Sequence, residues 1–194
     1  MQRSALFFSI AMLAIHCSPA TAQVVSFIGA GPVELGMTVA AAERAMGAKF
    51  APISLPFSKD CWITGRADGK DKAIAYAIQN GRIVQIDFVP QSGDQMNLKT
   101  AAGIGVGSTE DDIRRAYKDV TVTYAPYYNE ESEIDAAKYR AEHGNTAPQP
   151  SPHFSVRVDS PNHERGIIFE TQDSKVISFK TGFKAAIEEM EICR

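Results

Sequence analysis

The chain has 194 residues, 44% hydrophobic and 22% charged, with a formal net charge of −3. That apolar content argues for a folded core and against a disordered chain. The mild acidity, with Lys and Arg scattered and no basic stripe, argues against nucleic-acid and anionic-membrane partners.

Residues 1–22 read as a secretory signal peptide. Met1-Gln2-Arg3 is a positive n-region, Ala5 to Ile15 is an apolar run broken only by Ser9, and Pro19-Ala20-Thr21-Ala22 supplies an A-x-A cleavage site before Gln23. The run is too short to span a bilayer. A lipoprotein acylated at Cys17 is the rival, but His16 stands where lipoprotein processing wants a small residue. No later stretch is long and apolar enough for a membrane span, so a periplasmic or secreted protein is expected. Export leaves Cys61 and Cys193, an even number in an oxidising compartment, and a disulfide between them is the default expectation. Closing so large a loop is worth about 4–5 kcal/mol in the chain-entropy model. The alternative, a nucleophilic thiol, has no reactive-cysteine motif around either residue.

The mature part states one pattern twice. Leu35-Gly36-Met37-Thr38 leads into Ala42, Arg44, Ala45 and Met46, and 71 positions on Val106-Gly107-Ser108-Thr109 leads into Ile113, Arg115, Ala116 and Tyr117. Each string follows a Gly-rich, apolar lead-in (29–36 and 103–107) and predicts a short helix. Thr38 is the expected N-cap of the first, with Gly47 as terminator. Ser108 or Thr109 caps the second, where Glu110, Asp111 and Asp112 suit the helix dipole. Strands follow each helix. Asn80-Gly81 between Ile74–Ile78 and Ile83–Phe88 is a strong hairpin signal, and in the second copy Gln172-Asp173-Ser174-Lys175 separates Ile167–Thr171 from Val176–Lys180. Cys61–Thr64 and Phe154–Val158 add a further strand to each copy.

The strands repeat at an offset of 93, not 71, so the second copy carries a 22-residue insertion near residues 129–152. It joins an acidic piece, Glu130 to His143, to the Pro-rich Pro148-Gln149-Pro150-Ser151-Pro152. Long loops inside a compact domain are usually functional or disordered. Just before it, Tyr124, Tyr127 and Tyr128 offer rigid contact area at low entropic cost. The plainer reading is that one or two of them cap the core. With Glu130, Glu131 and Glu133 they form the candidate partner-binding set.

The string from Leu35 to Gly47, L-G-M-T followed by E-R-x-M-G, resembles a family of small exported α/β modules. That family includes the small outer-membrane lipoprotein of the β-barrel assembly machinery and the tandem-module β-lactamase inhibitory protein. The resemblance implies helices packed on a four-stranded antiparallel sheet whose concave face grips a target protein. None of the inhibitor's contact residues transfers to this chain.

No catalytic set stands out. Gly103-Ile104-Gly105-Val106-Gly107-Ser108 lacks the Lys of a P-loop. His143, His153 and His163 lack ligand spacing, and no G-x-S-x-G nucleophile elbow occurs. The pairs Asp111-Asp112, Glu130-Glu131 and Glu188-Glu189 read as helix-dipole or solvated charges. Trp62 is expected in the core, beside the disulfide.

The expected architecture is α+β: a first α/β repeat over 23–99 and a second over 100–194, with the helices packed on one sheet face. The expected function is that of a non-enzymatic binding or inhibitor-like module. It would recognise a protein or glycan partner in the cell envelope, with no cofactor and no metal. A small exported hydrolase with an unrecognised active site and an envelope assembly factor are the alternatives.

Overall fold

The computed structural model describes residues 24–53, 58–91, 98–125, 134, 137, 138, 141, 151–189, 192 and 193. Two sheets carry the chain. Strands β1 (Val24–Ser26), β2 (Gly29–Ala30), β3 (Val33–Glu34) and β8 (Lys99–Thr100) form a small sheet in the order β3-β2-β1-β8. The main sheet has eight strands: β4 (Phe50–Pro52), β5 (Cys61–Arg66), β6 (Ile74–Gln79), β7 (Arg82–Phe88), β9 (Thr121–Tyr124), β10 (His153–Asp159), β11 (Arg165–Gln172) and β12 (Lys175–Phe183). Their order is β4-β5-β6-β7-β12-β11-β10-β9, and every neighbouring pair is antiparallel.

Local chemistry explains the two tight hairpins. Asn80 and Gly81 join β6 to β7 with φ of 51° and 73°, while Asp173 and Ser174 join β11 to β12 with φ of 51° and 58°. Two consecutive left-handed residues give the turn twist that suits a two-residue hairpin. The helices begin where capping chemistry places them. In α1 (Val39–Met46) the Thr38 side chain accepts from the Ala41 amide and left-handed Gly47 closes the last turn. In α2 (Glu110–Ala116) Thr109 and Asp112 form a reciprocal capping box. A third helix, α3 (Lys184–Glu188), follows directly on β12.

The expectation of two helix-plus-sheet repeats is overturned: the protein is mostly β, and the three helices bounded among the described residues are short. The two strand sets do not form separate sheets. They meet at β7 and β12, where Phe88 pairs with Phe179 and Ile86 with Thr181. The Phe88 and Phe179 rings stack at 4.6 Å, and Phe169 approaches Phe179 at 5.8 Å. An apolar strand left at a sheet edge exposes unpaired backbone, and pairing the two strands removes both edges. Nor do the helices share one face. Ala42 of α1 and Ile113 of α2 belong to the main core, whereas Ala186 of α3 packs with Ala77 on the other side of the sheet.

Alternation along the strands divides the main sheet into two faces. One carries Tyr76, Ile78, Ile86, Phe88, Val156, Val158, Ile167, Phe169 and Phe179, and these pack with Val25, Ala30 and Val33 of the small sheet. Two hydroxyls buried on it are satisfied: that of Thr181 donates to the Ser26 carbonyl at 2.9 Å, and that of Thr171 to Glu110 at 2.7 Å. The opposite face receives α3 and the residues after it. Gly166 and Gly182 face each other across β11 and β12, and Ile187 fills the space above both. A Cβ on Gly182 would lie 2.6 Å from the Ile187 side chain.

Cys61 and Cys193 form the disulfide, with Cα atoms 5.1 Å apart and a sequence separation of 132. It fixes the segment after α3 to β5. Trp62 packs against the main core, as expected, but on the face away from the disulfide. The reason is geometric: consecutive strand residues point to opposite faces, so a residue next to Cys61 turns away from Cys193.

Candidate functional site

Of the residues singled out for partner binding, the structure describes Tyr124. It ends β9, which has no strand on its outer side among the described residues. Tyr124 pairs with Phe154, and the two rings meet edge to face with centroids 5.8 Å apart. One side of the ring is thus held while 47% of the residue remains exposed. Thr121 and Thr123 are exposed beside it. Tyr127, Tyr128, Glu130, Glu131 and Glu133 lie outside the described residues, as do His143, nearly all of the insertion and the whole expected signal peptide.

His153 begins β10, and His163 sits in the turn after it, at φ 56° and with its ring Nδ1 3.5 Å from Asp159. Among the described residues no three His, Cys, Asp or Glu side chains gather as a metal site.

A second polar assembly was not visible as such in the sequence. On the face that receives α3, Gln85 and Asp87 of β7, Lys180 of β12, Glu170 of β11 and Ser155 of β10 form a row across four adjacent strands. The register sets it: Asp87 is opposite Lys180, Lys180 opposite Ile168, and Glu170 opposite Ser155. The Gln85 amide Nε2 donates to Asp87 Oδ1 at 2.8 Å, and the Ser155 hydroxyl donates to Glu170 Oε2 at 2.7 Å. Gln85 is only 4% exposed, and its Oε1 accepts no hydrogen bond from the described residues.

Burial dominates the electrostatics of the row. It pushes the Asp87 carboxyl up to about 6, against the lowering effects of the Gln85 amide and the Lys180 charge. Burial also raises Glu170, opposed by the Ser155 hydroxyl, Lys180 and His153. Removing a carboxylate from water disfavours its charged form more than these partners favour it. At the border with α3, Arg157 donates to Glu188 at 2.6 Å and pairs with Asp159 at 3.1 Å, so the helix is tied to β10 by charge and to β11 and β12 by Ile187. The row therefore offers hydrogen-bond acceptors around one ammonium on a rigid sheet.

The alternation Ile83-Val84-Gln85-Ile86-Asp87-Phe88 does mark Gln85 and Asp87 as facing away from the core. Lys180 between Phe179 and Thr181 carries the same mark. What joins them is the pairing of β7 with β12, which local patterning does not encode.

No family model matches this chain, and neither a curated protein nor a solved structure matches it.

Proposed function

We propose that the protein is an exported, non-enzymatic binding module that holds a protein partner at the β9 edge of its main sheet. One observation carries this reading: among the described residues β9 ends the eight-stranded order, with Tyr124 half exposed and braced on Phe154. An outer strand presents backbone groups that an extended segment of a partner can pair with. A braced tyrosine adds contact area with little entropy left to lose. Export rests on the Met1–Ala22 leader, and the envelope as the site of action follows from it.

The test places a photo-crosslinking side chain at position 123 on β9 and, separately, at position 51 on β4, the opposite edge. Crosslinking in native envelope should yield a discrete partner from position 123 and not from position 51. Tyr124→Ala should weaken capture about tenfold with an unchanged thermal midpoint. Equal capture from both edges, or a Tyr124→Ala protein that binds normally, overturns the reading. Turnover in an esterase, peptidase and glycosidase screen would establish the hydrolase instead.

A further inference from the structure

The hairpins β6–β7 and β11–β12 share one register. At an offset of 93, Gln79 opposite Arg82 is matched by Gln172 opposite Lys175, and Tyr76 opposite Ile86 by Phe169 opposite Phe179. Each hairpin has a register shift, and it falls at the same place: between Ala77 and Ile78, and between Glu170 and Thr171. The pairing of β7 with β12 is symmetric on the same offset. Ile86 lies opposite Thr181 and Phe88 opposite Phe179, while Thr181 and Phe179 stand 93 positions beyond Phe88 and Ile86. The seam thus has the geometry of an isologous contact, with a local two-fold axis between Asp87 and Lys180.

Such a seam must tell its own two strands apart. By its geometry β7 fits β12 and equally β7 of a second copy, with Ile86 opposite Phe88 on the core face. Likewise β12 fits another β12, with Phe179 opposite Thr181. Only the residue on the axis meets its own kind in a self-pairing: Asp87 would face the Asp87 of the other copy, and Lys180 the other Lys180. Like charges directly opposite on neighbouring strands repel, and opposite charges attract. On their other sides Asp87 lies opposite Ala75 of β6 and Lys180 opposite Ile168 of β11, so across the strands each meets one charge and one apolar residue. Both are partly buried, which limits screening by salt.

We propose that Asp87 and Lys180 choose the partner of each seam strand, directing β7 onto β12 and excluding β7 or β12 of a second copy of this chain. The pair acts by exclusion and not by adding stability: burying a carboxylate costs free energy, and the charge on the axis makes self-pairing worse than the native pairing. This role is independent of any partner held at β9, the far end of the sheet.

The test refolds an equal mixture of ¹⁴N- and ¹⁵N-labelled full-length chains over a range of concentrations, so that mass tells a crosslink between copies from one within a chain. A photo-crosslinking side chain replaces Val89, 47% exposed just beyond β7, or Ile177, 36% exposed on β12. Peptide mapping then shows which strand has been captured. The wild type should give β7–β12 crosslinks. Asp87→Asn should raise β7–β7 crosslinks between copies about tenfold and leave β12–β12 ones unchanged, whereas Lys180→Gln should do the reverse. Asp87→Glu and Lys180→Arg, which keep the charges, should stay at the wild-type level. The proposal is overturned if Asp87→Asn yields no β7–β7 crosslinks, or if Lys180→Gln or Asp87→Glu raises them as much. If Lys180→Gln fails to fold, the two Asp87 variants decide alone.

Discussion

Asp87 shows how one side chain can weaken a fold at neutral pH. Its carboxyl is pushed up to about 6 from an ordinary value of 3.8 because burial strips away water that the Gln85 amide and Lys180 only partly replace. The folded protein therefore holds this proton up to about pH 6, whereas the unfolded chain releases it near pH 4. Folding then binds a proton in that window, so stability contributed by the group falls as pH rises from about 4 to about 6. Across that interval the loss amounts to about 2–3 kcal/mol. Asp87→Asn keeps an acceptor for Gln85 and removes the charge. Its thermal midpoint should exceed that of the wild type by about 4–8 °C at pH 7 and coincide with it near pH 4, as scanning calorimetry at both values will show. Glu170 is shifted in the same direction and remains in both proteins, so the difference between them isolates Asp87.

At the scale of elements, α3 is held by shape more than by helix propensity. It has five residues and no side-chain cap, too few to be stable without tertiary contacts. Ile187 supplies them by sitting over the Gly166–Gly182 pair, where a Cβ on either glycine would approach the Ile187 side chain to 2.8 or 2.6 Å. Gly182→Ala should cost about 1–3 kcal/mol through overpacking. Ile187→Ala should cost about 2–4 kcal/mol by leaving a void. In the double variant the new methyl occupies part of that void, so denaturant titration should give a loss smaller than the sum of the two. Full additivity would show that Ile187 does not rest on Gly182. The caps and hairpins at this scale were legible in the sequence, because Thr38, Gly47, Thr109, Asn80-Gly81 and Asp173-Ser174 act on neighbours within a few residues. The glycine socket was not legible, since Gly166 and Gly182 acquire meaning only when β11 and β12 pair and α3 folds back on them. The polar row was missed for the same reason: Asp87 and Lys180 are 93 residues apart in sequence and are brought opposite one another by β7 and β12.

For the whole molecule, that same pairing turns two strand sets into one sheet. Phe88, Phe169 and Phe179 form a continuous aromatic contact through the seam, and the surrounding buried side chains make one cluster with the small sheet. A chain cut after residue 99 would leave β7 as an unpaired edge with Ile83, Ile86 and Phe88 exposed. The fragment 23–99 should therefore lack dispersed amide signals and bind a hydrophobic dye, whereas the intact protein should unfold in a single transition by circular dichroism and fluorescence alike. A folded, soluble 23–99 fragment would show that the seam is a docking of two independent units. The eight-stranded order itself was hidden from sequence because periodicity reports which side of a strand is apolar and not which strand lies beside it.

The bond between Cys61 and Cys193 also has a meaning in time. Its first half is made early and its second 132 residues later, so for most of synthesis Cys61 has no native partner. The oxidised protein is thereby a record of a chain read through to Cys193: any product that stops short of it keeps a free thiol on β5, open to chemical capture, while one that includes it has none at that position. Passage of synthesis beyond Cys193 is written into the redox state of the chain.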